Sequence, residues 1–576
     1  MERRNLLLVP AFIILAIAVL ISQASAASDT VTNTAANTTA NSSSGSPATG
    51  SPGRSMPPDM NKMKLTTAAD RQAAADRAKT AGLGSSQSLV GSMPTVAAAL
   101  SSPDYFGNTP NYANSPLPVL YPSHDYFWTW YDSVATKNWV IMADPAGCTN
   151  RNLGLSIFGS PQTLPNAFGL GAGVIPGGKS LPYTAPGLLG GPVKASTLTG
   201  GEAVVSQRSL WKGGNSLEEV LGTDSTKLSD HYYWTWYDNK SPGMYDWVMI
   251  SNPSANTIYY RIKVAGSVPG AGQTLEGAAE DTILTGASKN ARFNLKSGPV
   301  EVETFSDAAR TIPTEAIASQ RVLTNMGTAS EAFNEVPGIP AIDLTNDYLW
   351  TWYDNVSAGA YDWVMIANPN PYAINYRITV KGAVPGQMIE GDATGTIPQD
   401  SNVTPRIKNV LDGPVEVKTC KLAFVGDTCP DGNTTDGKSI ASQRTLWGPS
   451  FEEVPGYPRT ALTSDYHWTW YDQADAGTYD WVHIINTDSV QVNYRITVGG
   501  SAPSPVVEGS ASSTIAVDGL VHPRFLKRGG PVEVKACKAA FNPGGSCSDP
   551  TPAKVMTSQR VLWHGYFNEV LGTKLN

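Results

Sequence analysis

Two phrases, Trp350-Thr351-Trp352-Tyr353-Asp354 and, a few residues on, Asp362-Trp363-Val364-Met365-Ile366-Ala367-Asn368-Pro369, decide how this chain folds. In the first, Tyr348, Trp350 and Trp352 alternate with Leu349, Thr351 and Tyr353. A third phrase, Asn375-Tyr376-Arg377-Ile378-Thr379-Val380, sets Tyr376, Ile378 and Val380 against Arg377 and Thr379. Period-two alternation of aromatic and β-branched residues between Asn-Pro, Pro-Gly and Gly-Pro punctuation predicts strands joined by tight turns.

Outward from this stretch the chain repeats itself. Trp-Thr-Trp-Tyr-Asp begins at 128, 234, 350 and 468, so 106, 116 and 118 residues apart. Tyr-Arg-Ile recurs at 260, 376 and 494, Gly-Pro-Val at 191, 298, 413 and 530, and Ser-Gln-Arg at 206, 319, 442 and 558. Each copy closes on Leu217-Glu218-Glu219-Val220, Phe333-Asn334-Glu335-Val336, Phe451-Glu452-Glu453-Val454 or Phe567-Asn568-Glu569-Val570. A repeat of about 115 residues is long enough to bury its own core, whereas solenoid repeats run to about 20–45. The expected fold is all-β: four tandem β-sandwich (Ig-like) modules at 118–223, 224–340, 341–458 and 459–576. Copy one lacks Tyr-Arg-Ile, and its Gly/Pro-rich stretch 154–191 is expected to replace that strand.

Upstream, Glu2-Arg3-Arg4, an apolar run from Leu6 to Ile21 and Ala24-Ser25-Ala26 read as a signal peptide over 1–26, leaving no membrane span once it is removed. An uncleaved anchor is the rival reading. Residues 27–117 form a Ser/Thr/Pro-rich stalk, too poor in apolar side chains to offset its ordering entropy, with one short helix expected at Thr67–Ala81. The protein is thus expected outside the cell or at its surface.

Composition removes several functions. With 41 Lys+Arg against 49 Asp+Glu the net charge is −8, wrong for electrostatic nucleic-acid binding. The histidines at 124, 231, 467, 483, 522 and 564 show no metal spacing, and no metal or cofactor is expected. Gly173-Val174-Ile175-Pro176-Gly177-Gly178-Lys179-Ser180 matches a phosphate loop by letter, but Leu181-Pro182 cannot open the helix such a loop needs. Ser-Gln-Arg and the closing Glu suit an Arg–Glu bridge between strands, with no base or second carboxylate recurring beside them for catalysis. The Asp-rich loops 238–246, 354–362 and 472–480 suit turn capping; calcium is the alternative, although known loop spacing is absent. The Trp-Thr-Trp-Tyr aromatics are core residues or a sugar-stacking platform. No enzyme is expected.

Cys420 and Cys537 each follow Gly-Pro-Val-Glu-Val, with Cys429 and Cys547 nine and ten residues on, so two local disulfides are expected. Cys148 is left over, as a buried thiol or an intermolecular link. Glycosylation sequons start at Asn37, Asn41, Asn239, Asn355, Asn402 and Asn433.

Taken together, the Trp-Thr-Trp-Tyr-Asp, Asp-Trp-Val, Gly-Pro-Val-Glu-Val, Ser-Gln-Arg and Phe-Asn-Glu-Val phrases over 118–576 resemble tandem surface modules of bacteria and archaea. With the signal and stalk, the arrangement is similar to the major sheath proteins of filamentous methane-producing archaea. That resemblance implies an extracellular structural subunit whose partner is itself, polymerising into a β-rich, amyloid-like wall. Tyr232-Tyr233-Trp234-Thr235-Trp236-Tyr237 and Trp363-Val364-Met365-Ile366 have zipper-like composition, unless they are central strands of each sandwich. The alternative function is a cell-surface adhesin or polysaccharide-binding protein, with surface glycans as partners.

Overall fold

The second copy shows why these phrases become a sandwich. The computed structural model describes residues 124–575 except 146–149, 200, 213–215, 329, 431–436, 475, 544 and 550. The signal peptide, stalk and stalk helix, Asn37, Asn41, Cys148 and Asn433 lie outside the described residues. One sheet of module two runs Glu280–Ile283, Ile258–Val264, Val300–Phe305, His231–Trp234, Ile339–Pro340. The other runs Thr274–Glu276, Ser288–Phe293, Tyr245–Ser251, Ile317–Thr324, Ala332–Pro337. Every pairing is antiparallel, and Trp234, Tyr260, Ile262, Val302, Val248, Phe293 and Val336 meet between the sheets. Trp234 is anchored by donating from Nε1 to Val336 O at 3.0 Å. Trp128, Trp350 and Trp468 donate in the same way to Val220, Val454 and Val570. Each copy has its own apolar core of this kind, so the chain is all-β and multi-sandwich.

Two expectations from the sequence are corrected. Copy one does contain the strand that carries Tyr-Arg-Ile elsewhere. It is Arg151–Ile157, paired to Val193–Thr197, with Leu153, Leu155 and Ile157 in the core positions that Tyr260, Ile262 and Val264 take in module two. The apolar alternation is kept while the Tyr-Arg-Ile letters change, and the Gly/Pro-rich residues that follow are no longer than in module two and supply the strand Lys179–Tyr183, which pairs with Thr136–Asp144.

The Trp-Thr-Trp-Tyr phrase is not one alternating strand either. In copy three Asp347–Trp350 ends its ladder, Thr351 and Trp352 leave it, and Tyr353–Asp354 pairs separately with Leu411–Asp412. The break puts Tyr353 into the same core as Tyr348 and Trp350 and releases Thr351 to face another module. A recurring glycine makes room for it. A Cβ on Gly413 would sit 1.9 Å from Thr351 O, and Gly191, Gly298 and Gly530 meet the matching carbonyls at 1.9, 2.1 and 2.0 Å. This close approach is why glycine opens Gly-Pro-Val in every copy.

The modules close into a ring. The closing strands Ser216–Leu221, Ala332–Pro337, Ser450–Pro455 and Tyr566–Leu571 each pack against the next, and the fourth packs against the first. They surround a pseudo-fourfold axis. Secondary apolar clusters fill the joints: Trp130 with Trp247 and Met249, Tyr233 with Ala367 and Ile440, Leu349 with Ile485 and Met556, and Leu210 with Val561 and Trp563.

Candidate functional site

The recurring polar residues build the joints. Arg208, Arg321, Arg444 and Arg560 lie directly opposite Glu219, Glu335, Glu453 and Glu569 in the ladder and pair with them. The Arg–Glu bridge read from the sequence is therefore present in all four modules. What the sequence did not reveal is its third partner. Thr129 Oγ1 of module one donates to Glu335 Oε1 of module two at 2.9 Å and lies 2.7 Å from Ser319 Oγ. Thr235 does the same to Glu453 and Ser442 at 2.8 and 2.7 Å, and Thr351 to Glu569 and Ser558 at 3.1 and 2.7 Å. Thr469 completes the circuit on Glu219 and Ser206 at 2.8 and 2.6 Å. Each Thr–Ser–Glu–Arg latch is buried, where a satisfied charge-assisted network is stronger than at the surface.

The Gln of Ser-Gln-Arg stays within its own module. Gln320 Nε2 donates to Trp236 O at 2.9 Å and to the buried carboxylate of Asp246 at 3.1 Å. Burial pushes Asp246 up to about 8 and Asp362 to about 7, against the pull of Arg444 and Arg560 respectively. The Asp loops are turn-capped. Asp238 Oδ1 accepts from the N–H groups of Lys240 and Ser241, and Asp354 Oδ1 from those of Val356 and Ser357. Two sequon asparagines are spent in the same loops. Asn239 donates to Tyr237 Oη and Asp246 O, and Asn355 to Tyr353 Oη, Asp362 O and Ile407 O, so a glycan on either would break a core network. Asn402 donates across a joint to Thr235 O at 3.2 Å.

The phosphate-loop lookalike runs into the strand Lys179–Tyr183, so no helix N-terminus is available to a phosphate there. Cys420 pairs with Cys429 and Cys537 with Cys547, their Cα atoms 5.6 and 5.5 Å apart. Module two, with Phe305 in the place of Cys420, ties the same loop through Asp307. The Asp307 carboxylate accepts from the N–H groups of Thr311 and Ile312 at 2.9 and 2.7 Å.

One joint differs from the rest. Between modules three and four a cleft of about 290 Å³ is walled by Trp352, Trp447, Trp481 and Phe567 and edged by Glu508 and Arg524. His483 and His522 stand in it 5.8 Å apart, with Trp352 edge-on to them at 5.7 and 5.9 Å. Burial, with Arg560 and His522 adding to it, pushes His483 well below the usual imidazole range and keeps it neutral. Sequence spacing alone did not bring this pair together, because His483 lies on the strand Thr478–Asn486 and His522 just after Leu520–Val521. The signal available was a break in recurrence: His483 stands where copies two and three carry Met249 and Met365.

Two other acidic groupings already hold cations. Lys263 reaches Glu301 and Glu303 beside His231, and Lys535 reaches Glu533 beside Asp465 and His467. The fold and joints thus define a closed ring of four latched β-sandwiches. No protein-family model matches the chain, and no curated protein matches it either.

Proposed function

We propose that this chain is an extracellular structural protein, a self-associating subunit of a cell sheath or surface layer. The observation that carries the reading is the destination of the recurring residues. Thr, Ser, Arg and Glu of every copy are buried in latches between modules, which makes a stiff preassembled block and leaves them unavailable to a substrate. The disulfide pairs suit an oxidising compartment, and among the described residues no helix is long and apolar enough to cross a membrane.

The contacts between blocks are open sheet edges. Thr394–Ile397 in module three and Ser512–Ile515 in module four end their sheets, are uncharged, and expose three of four residues. Such edges template pairing with another chain. The matching strand of module two, Glu280–Ile283, is blunted by Glu280 and Asp281. The aromatic phrases with zipper composition lie inside the folded sheets, so association joins folded modules rather than converting them into a zipper. Purified residues 27–576 should form tubes, sheets or fibres visible by negative-stain electron microscopy. The double substitution T394K/S513K, which charges both edges, should abolish them. Protein that stays monomeric at high concentration would overturn the reading.

The cleft between modules three and four favours a second reading, glycan binding at a cell surface. Stacked aromatics with a polar rim suit a sugar ring. Glycan-array binding lost in W352A, in a protein that does not assemble, would favour it.

A further inference from the structure

At the ring axis the closing strands alternate in sequence. Modules one and three present Ser216-Leu217-Glu218-Glu219 and Ser450-Phe451-Glu452-Glu453. Modules two and four present Ala332-Phe333-Asn334-Glu335 and Tyr566-Phe567-Asn568-Glu569. The last Glu of each set has its own Arg, so those charges cancel. Glu218 and Glu452 have no such partner among the described ion pairs, and both are buried. The charged groups acting on Glu218 include Glu335 and Glu219; those acting on Glu452 are Glu218, from across the axis, and Glu569.

The amides between them complete the cluster. Asn334 Nδ2 donates to Glu218 Oε2 and Asn568 Nδ2 to Glu452 Oε2, each at 3.2 Å. The other amide atom of each, Oδ1, sits in a fully buried residue with no hydrogen-bond partner. Native interiors rarely leave such oxygens orphaned without an ion or water to meet them. Two carboxylates without an ion-pair partner, each also accepting a backbone N–H from Glu335 or Glu569, and two orphaned amide oxygens therefore lie on the four closing strands that pack around the axis.

We propose that Glu218, Asn334, Glu452 and Asn568 form a site for one divalent cation of the calcium type. The charge matches, since two carboxylates remain after the Arg–Glu pairs cancel. The donor set is all oxygen, which suits a hard cation and not zinc or copper. Two carboxylates and two amides offer about six oxygens, within the range calcium takes in irregular geometry, whereas magnesium demands a near-ideal octahedron. A cation there would tie all four closing strands together at one point. The site does not depend on what the ring is used for.

Burial also raises the proton affinity of both carboxyls, so a cation would enter by displacing protons. Because the site is enclosed, residues 27–576 should be refolded with calcium chloride or with EDTA before comparison. Calorimetric titration of the EDTA-refolded protein in two buffers of different ionisation enthalpy should give one calcium per chain with proton release, and calcium should raise Tm. The E218Q/E452Q variant keeps the hydrogen-bonding shape and should lose both effects. If the double variant does not fold, E218Q alone should weaken calcium binding at least tenfold. Absence of stoichiometric binding in the wild type, or binding that survives these substitutions, overturns the proposal. So does stability that responds to acid and not to calcium, since protons alone would then hold the axis.

Discussion

Thr469 Oγ1 donates to Glu219 Oε1 at 2.8 Å although 250 residues of chain separate them. Ser180 Oγ adds a hydrogen bond to Thr469 O at 2.7 Å across the same joint. The other three joints repeat the latch but also have a covalent linker, the short strand and 3-10 turn around 223–227, 339–343 and 457–461. Modules four and one have none. The ring is therefore closed at one joint by packing and hydrogen bonds alone.

This asymmetry separates two otherwise identical substitutions. T469V and T235V each remove a hydrogen bond to a buried carboxylate, at a cost of about 1.5–3 kcal/mol, while Ser206 and Ser442 go on donating to Glu219 and Glu453. Only T469V acts where no linker holds the modules. It should open the ring, seen as a larger radius of gyration by small-angle scattering and a second urea transition. T235V should lower the midpoint of a single transition. Equal scattering profiles for the two variants would refute the closure argument.

Much of this was legible in the sequence and some was not, for physical reasons. Repeat spacing gave the modules, and period-two patterns gave most strands. Arg and Glu at fixed offsets gave the bridge, because a hairpin brings such positions opposite each other. The Thr of Trp-Thr-Trp was illegible, since a contact inside one copy and a contact to the next produce the same recurrence. The Leu153 strand keeps the period of its counterparts but none of their Tyr-Arg-Ile letters, so letter recurrence hides it. The axial cluster was present in the text as Glu-Glu alternating with Asn-Glu, but it gains meaning only once the four strands are known to face one axis.

Stability should depend on pH and fall from the acid side towards the alkaline. Asp246, held at about 8, and Asp362, at about 7, keep protons that the unfolded chain gives up near pH 4. Their contribution is complete at low pH and is lost as pH rises through about 7 and 8. Glu218 and Glu452, also raised by burial, act in the same direction. His483 acts oppositely. It stays neutral when folded, so stability falls once the unfolded chain takes up a proton below about pH 6.5. Four raised carboxyls outweigh one histidine, so calorimetric Tm should peak near about pH 4 and fall towards pH 8.5. D246N copies the residue that module one already has at Asn138 and should flatten the alkaline limb. A Tm that rises between pH 6 and 8.5 would contradict the assignment.

Reduction should act on two modules only. The Cys420–Cys429 and Cys537–Cys547 bridges close loops of nine and ten residues, worth about 2–3 kcal/mol each on chain-entropy grounds. Module two relies on Asp307 instead and is indifferent to thiols. Hydrogen exchange after dithiothreitol should increase around 420–429 and 537–547 and stay unchanged around 305–313. Replacing Asp307 with Ala should produce the complementary pattern, faster exchange in module two under oxidising conditions.

The alternation at the axis makes a stronger demand. Along the closing strands, the joint between modules three and four repeats that between one and two. Ser216 and Ser450 accept from the N–H groups of Phe333 and Phe567 at 3.0 and 2.7 Å, and Trp211 and Trp447 stack on those two phenylalanines at 5.2 and 6.0 Å. The ring is therefore a near-twofold repeat of a two-module unit, and half of it has two faces that complement each other. In residues 341–576, Thr351 is satisfied internally by Ser558 and Glu569. Thr469 has lost Ser206 and Glu219 but can reach the exposed Ser442 and Glu453 of a second copy, whose own Thr469 returns the contact. Such a pairing closes after two chains, as a twofold dimer does. Light scattering should find twice the chain mass for this half at micromolar concentration, and T469V should shift it towards monomer. A half-chain that stays folded and monomeric at high concentration would show that the linkers, and not the latches, make the ring.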